Sequence, residues 1–174
     1  VVSILWTFMY NPTPGQGLIN TILVKLGFEA CPFLYSADTA MNSIIAMTIW
    51  QGAGNYMMIY LAGLQNQPEE LYEAASLDGA NWFQKLLNIT IPGLRNVTVF
   101  IVLMTTIGAM KMFTQSFMMT HGGPDNSTLT IVYYIYQQGL QYRNIGFASS
   151  ASVIFFFIVL LLSTLIKKLV NKDI

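Results

Sequence analysis

Three apolar runs, roughly residues 41–64, 97–119 and 145–166, are each long enough to cross a hydrocarbon core, which takes about 20 helical residues. Lipid offers a backbone no hydrogen bonds, so a run of this length must satisfy its own amides and carbonyls as a helix. The fold class expected from this is an all-α membrane protein. Composition agrees: 9% of the residues are charged and 54% hydrophobic, against about 25% charged in ordinary soluble domains. Formal net charge is zero, so no basic excess is available to neutralise phosphates, and nucleic acid is not an expected partner. Cys31 is the one cysteine, which excludes an internal disulfide.

Residues 1–10, VVSILWTFMY, are already apolar, so the chain is expected to open inside a membrane helix. It reads as an N-terminally truncated fragment of a single transmembrane domain covering residues 1–174. No charged n-region or small-residue cleavage site accompanies the stretch, so it does not qualify as a signal peptide. Residues 11–40 are rich in turn formers, 65–92 carry a charged island, and 120–144 hold a Gly/Pro/Asn turn followed by an aromatic amphipathic stretch. There Tyr133, Tyr134, Tyr136 and Tyr142 suit a helix lying in the membrane interface. Placing 65–92 and the tail 167–174 in the cytoplasm gathers Lys85, Arg95, Lys167, Lys168 and Lys172 inside, against Lys25 and Arg143 outside. Residues 11–40 and 120–144 are then expected to be extracellular.

The island itself, residues 73–92, reads EAASLDGANWFQKLLNITIP. Asn66 and Gln67 can begin a helix that tolerates Pro68 in its first turn, and Glu69 and Glu70 then meet the positive end of its dipole. Leu71, Ala74 and Ala75 fall on one face, which the alanines keep flat enough for another protein to approach. Gly79 is expected to stop the helix in a left-handed conformation. Asn81 with Gln84 resembles a capping box, so a second short helix is expected through Trp82, Phe83, Leu86 and Leu87, with Pro92 starting the next crossing. A capped hairpin of this kind would also serve as a plain connector between two membrane helices.

The register of EAA, Gly79, Ile89 and Pro92 is close to the EAA loop of ABC importer membrane subunits, and IWQGAGNYMMIYLAGLQNQPEELYEAA and THGGPDNSTLTIVYYIYQQGLQY extend the match. Over nearly its whole length the chain resembles the permeases of binding-protein-dependent carbohydrate uptake, of the maltose and glycerol-phosphate type. The resemblance implies a partial type I ABC importer transmembrane domain with cytoplasmic EAA coupling helices, lacking the first two of six core helices and most of the third. It also implies that the loop docks in a cleft of the ATP-hydrolysing subunit through Glu73, Ala74, Ala75, Gly79, Ile89 and Pro92. Glu73 would pair with a basic group on the ATPase or stabilise the loop's own backbone. Ile91 stands where Leu is more usual and keeps the apolar character. Implied partners are ABC ATPase subunits, a second permease subunit, an extracellular or periplasmic solute-binding protein, a sugar substrate and membrane lipid. The implied location is the cytoplasmic (inner) membrane of a prokaryote, crossed several times. No cofactor is expected on this chain: it has no G-x-x-x-x-G-K-[ST] phosphate loop, so ATP would be used by the partner subunits.

Polar residues also interrupt the apolar runs. Thr48, Gln51 and Asn55 recur at helical spacing in the first, and Lys111, Thr114 and Gln115 make a similar stripe in the second. Such side chains face the protein interior or a water-filled cavity, so these six are candidates for bordering the transport pathway and bonding sugar hydroxyls. Lys111 would either favour an acidic group or snorkel to the outer surface. Family members tend to have Gln at its place and an acidic residue at that of Thr114, which leaves the identity of the sugar open. Gly146, Ala148, Ser150 and Ser152 read as a close-packing surface. His121, the single histidine, lies in a turn, so no metal site is expected.

An intramembrane enzyme would need acid, base or metal groups converging at one depth, and Lys111 stands alone there. A passive pore or scaffold gives no reason for the EAA register. The expected function is uptake of a sugar or sugar derivative by alternating access, with no catalytic residue on this chain.

Overall fold

In the computed structural model, residues 1–171 are described, with side chains through Lys168, and every named element among them is helical. Lys172, expected in the cytoplasmic tail, lies outside the described residues. The chain forms two units, one of residues 1–51 and 107–162, the other of residues 52–106 and the chain from Ser163 onward.

The first unit holds α1 (Val2–Met9), α2 (Leu18–Lys25), a 3₁₀ turn (Phe33–Tyr35) and the N-terminal half of α3 (Ala37–Gln65). Its core is Tyr10, Leu34, Ile44, Met47 and Met119, with Trp6, Ile19, Phe33 and Met112 packed around it. The Tyr10 hydroxyl donates to the Ser43 carbonyl at 2.9 Å, so the buried ring keeps its polar end satisfied. Asn20 is fully buried. Its carboxamide donates to the carbonyls of Asn11 and Cys31 and accepts from the Cys31 amide. One side chain thereby joins the start of the 11–40 connector to its middle, using most of its bonding capacity.

The run 97–119, expected as one helix, divides. α7 (Arg95–Met110) ends before Lys111, and α8 (Thr114–Met119) begins after Phe113, whose φ of −134° is not helical. The Thr130 hydroxyl takes the Met112 carbonyl at 2.6 Å in the gap. From within α8 the Ser116 hydroxyl donates to the Thr128 carbonyl, and the Thr128 hydroxyl donates to that of Gly123 at 2.9 Å, which ties the turn back onto the helix. α9 (Ile131–Tyr136) continues into a π turn (Gln137–Gln141) where an interfacial helix was expected. Two of its tyrosines correct that expectation: Tyr133 is buried and Tyr136 half-buried. The Tyr136 ring lies 5.0 Å from that of Phe113, and the Tyr133 ring 5.6 Å from that of Phe117, so these two rings serve as core while Tyr134 and Tyr142 stay exposed.

α10 (Ile145–Asn171) runs on through Lys167 and Lys168, which belong to its last turns and not to a separate tail. Among its small residues Ala148 is buried, and a Cβ at Gly139 would lie 3.0 Å from its methyl, so the π turn seats closely on the helix. Gly146, Ser150 and Ser152 are exposed. Among the described residues, Ile145–Lys168 is the one helix long and apolar enough to cross a membrane. A second is counted if Trp82–Gly93 and Arg95–Met110, bent by 59° at Leu94, form one span. At 29 residues α3 has the length, but Asn42, Thr48, Gln51 and Asn55 dilute its apolar character.

Candidate functional site

In the second unit, α4 (Glu69–Leu77) begins one residue later than expected. Pro68 is its N-cap at φ −62° and ψ 123°, outside the first turn, because the residue ahead of a helix is extended. Glu69 and Glu70 occupy the first turn, where the helix dipole favours negative charge. Asp78 caps the other end and Gly79 follows at φ +75°. The Ala80 amide donates to the Ala75 carbonyl at 2.9 Å and the Gly79 amide to the Ser76 carbonyl at 3.1 Å. That pair of bonds is a Schellman motif. The second alanine of the EAA triplet thus supplies the carbonyl that receives the turn.

Asn81 then opens α5 (Trp82–Lys85) with a reciprocal capping box: its side chain accepts from the Gln84 amide at 2.9 Å, and the Gln84 side chain accepts from the Asn81 amide at 2.8 Å. A π turn (Leu86–Thr90) and α6 (Ile91–Gly93) carry the chain to Leu94, where it bends into α7. Pro92 therefore lies inside this segment and does not start the crossing. Lacking an amide hydrogen, it cannot bond the carbonyl four residues back, and the wider π turn precedes it. Across the hairpin the Lys85 ammonium donates to the Ser76 hydroxyl at 2.6 Å.

Residues Glu73, Ala74, Ala75, Gly79, Ile89 and Pro92 all fall on this one element. Glu73, Ala74, Gly79 and Pro92 are exposed, while Ala75 and Ile89 are half-buried. The Glu73 carboxylate makes no hydrogen bond or ion pair among the described residues. Around these residues the hairpin presents large apolar side chains to the outside: Leu77 is 90% exposed and Trp82 74%, with Leu71 and Phe83 more than half exposed. Leu77 was not singled out from the sequence, since its exposure depends on where the Schellman turn ends the helix.

The other candidate residues lie elsewhere. Within the first unit, a cleft of about 420 Å³ is lined by Met41, Ile45 and Thr48 of α3, Gly108 to Met110 of α7, Met112, Gln115 of α8, and Thr130 with Ile131. Its size is in the range of small-molecule sites. Thr48 and Gln115 are thus brought together, although the wall between them is apolar. The Thr48 hydroxyl donates to the Ile44 carbonyl of its own helix at 2.8 Å, and that of Thr130 is taken by Met112. The Gln115 carboxamide makes no such bond among the described residues. Gln51 is exposed on α3 outside this lining, and Asn55, also exposed, belongs to the second unit. Lys111 and Thr114 flank the break between α7 and α8 and are exposed. Lys111 thus stands at a helix end, and the stripe with Thr114 and Gln115 is interrupted. Among the described residues no group of His, Cys, Asp and Glu side chains could hold a metal ion.

Comparison with known proteins gives one consistent result. The arabinooligosaccharides transport system permease protein AraP of Bacillus subtilis (strain 168) is 39% identical over 153 residues, covering 87% of this chain and 49% of its own length. The sulfoquinovosyl glycerol transport system permease protein SmoG of Agrobacterium fabrum is 33% identical, over 95% of this chain and 52% of its own. The chain thus spans about half the length of these relatives. In fold it resembles a chain of a bacterial ABC transporter involved in importing the acidic polysaccharide alginate, with a TM-score of 0.84 at 23% identity, over 99% of this chain and 60% of that one. Residues 1–174 match the family described as binding-protein-dependent transport system inner membrane components. The chain belongs to that family and has the helical fold of an ABC importer transmembrane domain.

Proposed function

We propose that this chain is part of the membrane-spanning subunit of an ATP-driven ABC importer that takes up a sugar or sugar derivative by alternating access. The observation that carries the proposal is the Glu69–Gly93 hairpin. Its EAA register coincides with a Schellman turn and a capping box that satisfy the backbone internally, while Leu71, Leu77, Trp82 and Phe83 are left exposed. Apolar exposure of this extent is a mark of contact with another protein or with membrane, and the charged residues around it on this loop support a protein. ATPase subunits are the partner proposed for it, in the cytoplasm, through Glu73, Ala74, Ala75, Gly79, Ile89 and Pro92.

The subunit would be multi-pass, with α3, the α7 region and α10 as crossings of a prokaryotic cytoplasmic membrane. A second permease subunit and lipid would cover the exposed apolar side chains of α10. A solute-binding protein would deliver the sugar from outside. Support for that partner comes from a fold relative, at a TM-score of 0.82 and 22% identity, solved with an alginate pentasaccharide-bound periplasmic protein. A carbohydrate substrate is supported by the relatives named for arabinooligosaccharides and sulfoquinovosyl glycerol. Thr48 and Gln115 would border its path, with Gln51, Asn55, Lys111 and Thr114 as further candidates. Chemistry would reside on the ATPases, with ATP as their substrate.

The test is co-expression of the full-length subunit with candidate ATPase and companion permease subunits from the same organism, followed by purification and sugar uptake in vesicles. Recovery of an assembled complex that accumulates a sugar only with ATP is the expected result. A subunit that recovers no ATPase, or that equilibrates sugars without ATP, would be a scaffold or passive pore.

A further inference from the structure

Three side chains that the EAA register does not include meet at the base of the hairpin. The Tyr72 hydroxyl donates to Gln67 Oε1, and a second bond of 2.9 Å joins it to Thr90 Oγ1. Gln67 Nε2 donates to the Thr90 carbonyl at 3.1 Å, bridging 23 positions of sequence. The same carbonyl accepts the Leu94 amide at 3.0 Å. Gly93 leaves the space this needs, since a Cβ there would lie 2.7 Å from Gln67 Nε2. Gln67 follows the end of α3, Tyr72 lies on α4, and Thr90 closes the π turn just before the 59° bend into α7. The hairpin's own ends are already satisfied by the Schellman turn and the capping box. What the three residues add is the orientation of α4 against the feet of the two long helices.

We infer that Tyr72, Gln67 and Thr90 are a transmission clamp: positioning residues that make α4 move as one body with the ends of α3 and α7. A displacement imposed on α4 then passes into the helices, where a loose loop would absorb it. This rests on the coupling role proposed above for the hairpin.

Two measurements on the full-length subunit separate the clamp from that role. In lipid nanodiscs without ATPase, Tyr72→Phe, which deletes the shared hydroxyl and both of its bonds, should speed amide exchange across residues 86–94 by about 5- to 30-fold, the range that one to two neutral hydrogen bonds are worth. In the assembled transporter the same variant should lower sugar transported per ATP hydrolysed by a similar factor, while hydrolysis and complex recovery persist. Unchanged exchange would overturn the clamp irrespective of any ATPase, and faster exchange with an unchanged transport-to-hydrolysis ratio would overturn its role in transmission. Thr90→Val, nearly isosteric, carries the same test if Tyr72→Phe reduces the amount of folded protein. Thr90→Ser keeps the hydroxyl and should retain the parent ratio; uncoupling by Thr90→Ser as severe as by Thr90→Val would show that the hydroxyl does not preserve coupling, and would sink the clamp.

Discussion

Substitution of Gly79 separates two reasons why a glycine should occupy the turn of the hairpin. Its φ is +75°, and a Cβ built on it meets nothing within 4 Å. The chain itself therefore imposes a conformational requirement and no steric one. A left-handed conformation costs an ordinary L-residue roughly 1–2 kcal/mol, and asparagine, which visits that region readily, costs less. Gly79→Ala should then shift the equilibrium between the closed and frayed turn by about 5- to 30-fold, and Gly79→Asn by clearly less. Gly79→Pro is different in kind: its φ is held near about −65°, and it removes the amide that donates to the Ser76 carbonyl. Coupled transport should fall in the order Gly, Asn, Ala, Pro, with Pro inactive although the subunit reaches the membrane. Uptake and ATP hydrolysis would be measured together in vesicles, and amide exchange over residues 76–80 would report the turn directly. If Gly79→Asn is as damaging as Gly79→Ala to transport but not to exchange, bulk against a partner surface is the cause, and the conformational argument fails. Parent-like behaviour of Gly79→Ala in both measurements would refute it as well.

Topology can be tested in a Cys31-free background: a cysteine at Asn126 should react with an impermeant thiol reagent from outside, and one at Gln84 should not; the reverse pattern would sink the proposed orientation. Gln115→Leu should raise the sugar concentration needed for half-maximal uptake by about 3- to 10-fold, the value of one hydrogen bond, with insertion unchanged; an unaltered concentration dependence would remove the cleft from the pathway. Lys111→Gln should leave the preference between acidic and neutral sugars unchanged, because Lys111 is exposed at the end of α7 and does not line the cleft; selective loss of acidic sugars would establish charge recognition.

The hairpin was legible because its determinants are local. Glu69 and Glu70, Gly79, and the Asn81–Gln84 pair each act within one turn of helix, so spacing alone carries them. What escaped the sequence depends on contacts between distant positions. Nothing in residues 97–119 announces the break at Lys111–Phe113, whose Met112 carbonyl is bonded by a threonine 18 positions later. Nor does the tyrosine run of α9 reveal that Tyr133 and Tyr136 are core, since the partner rings of Phe113 and Phe117 lie on another helix. The bonds that join Gln67, read from the sequence only as a helix start, and Tyr72 to Thr90 likewise span distant positions, and Pro92 does not start the crossing because the π turn before it displaces the bend to Leu94.

The polar stripes show how far spacing alone can go in an apolar chain. A threonine in a helix can return its hydroxyl to the carbonyl four residues back, as Thr48 does to Ile44, and so sit in hydrocarbon without a ligand. Thr98 and Thr105 do the same at Leu94 and Ile101. Hydroxyls at helical spacing are therefore weak pointers to a pathway. The longer carboxamide of Gln115 has two donors and an acceptor, and at its half-buried place beside an apolar wall they make no bond to the described residues, which leaves them open to water or a ligand. Lys111 carries less weight again, because the negative end of the α7 dipole accounts for a cation there without any substrate. Of the six stripe residues, only Gln115 combines a cleft position with unsatisfied bonding capacity, and that combination required the break between α7 and α8 to be seen.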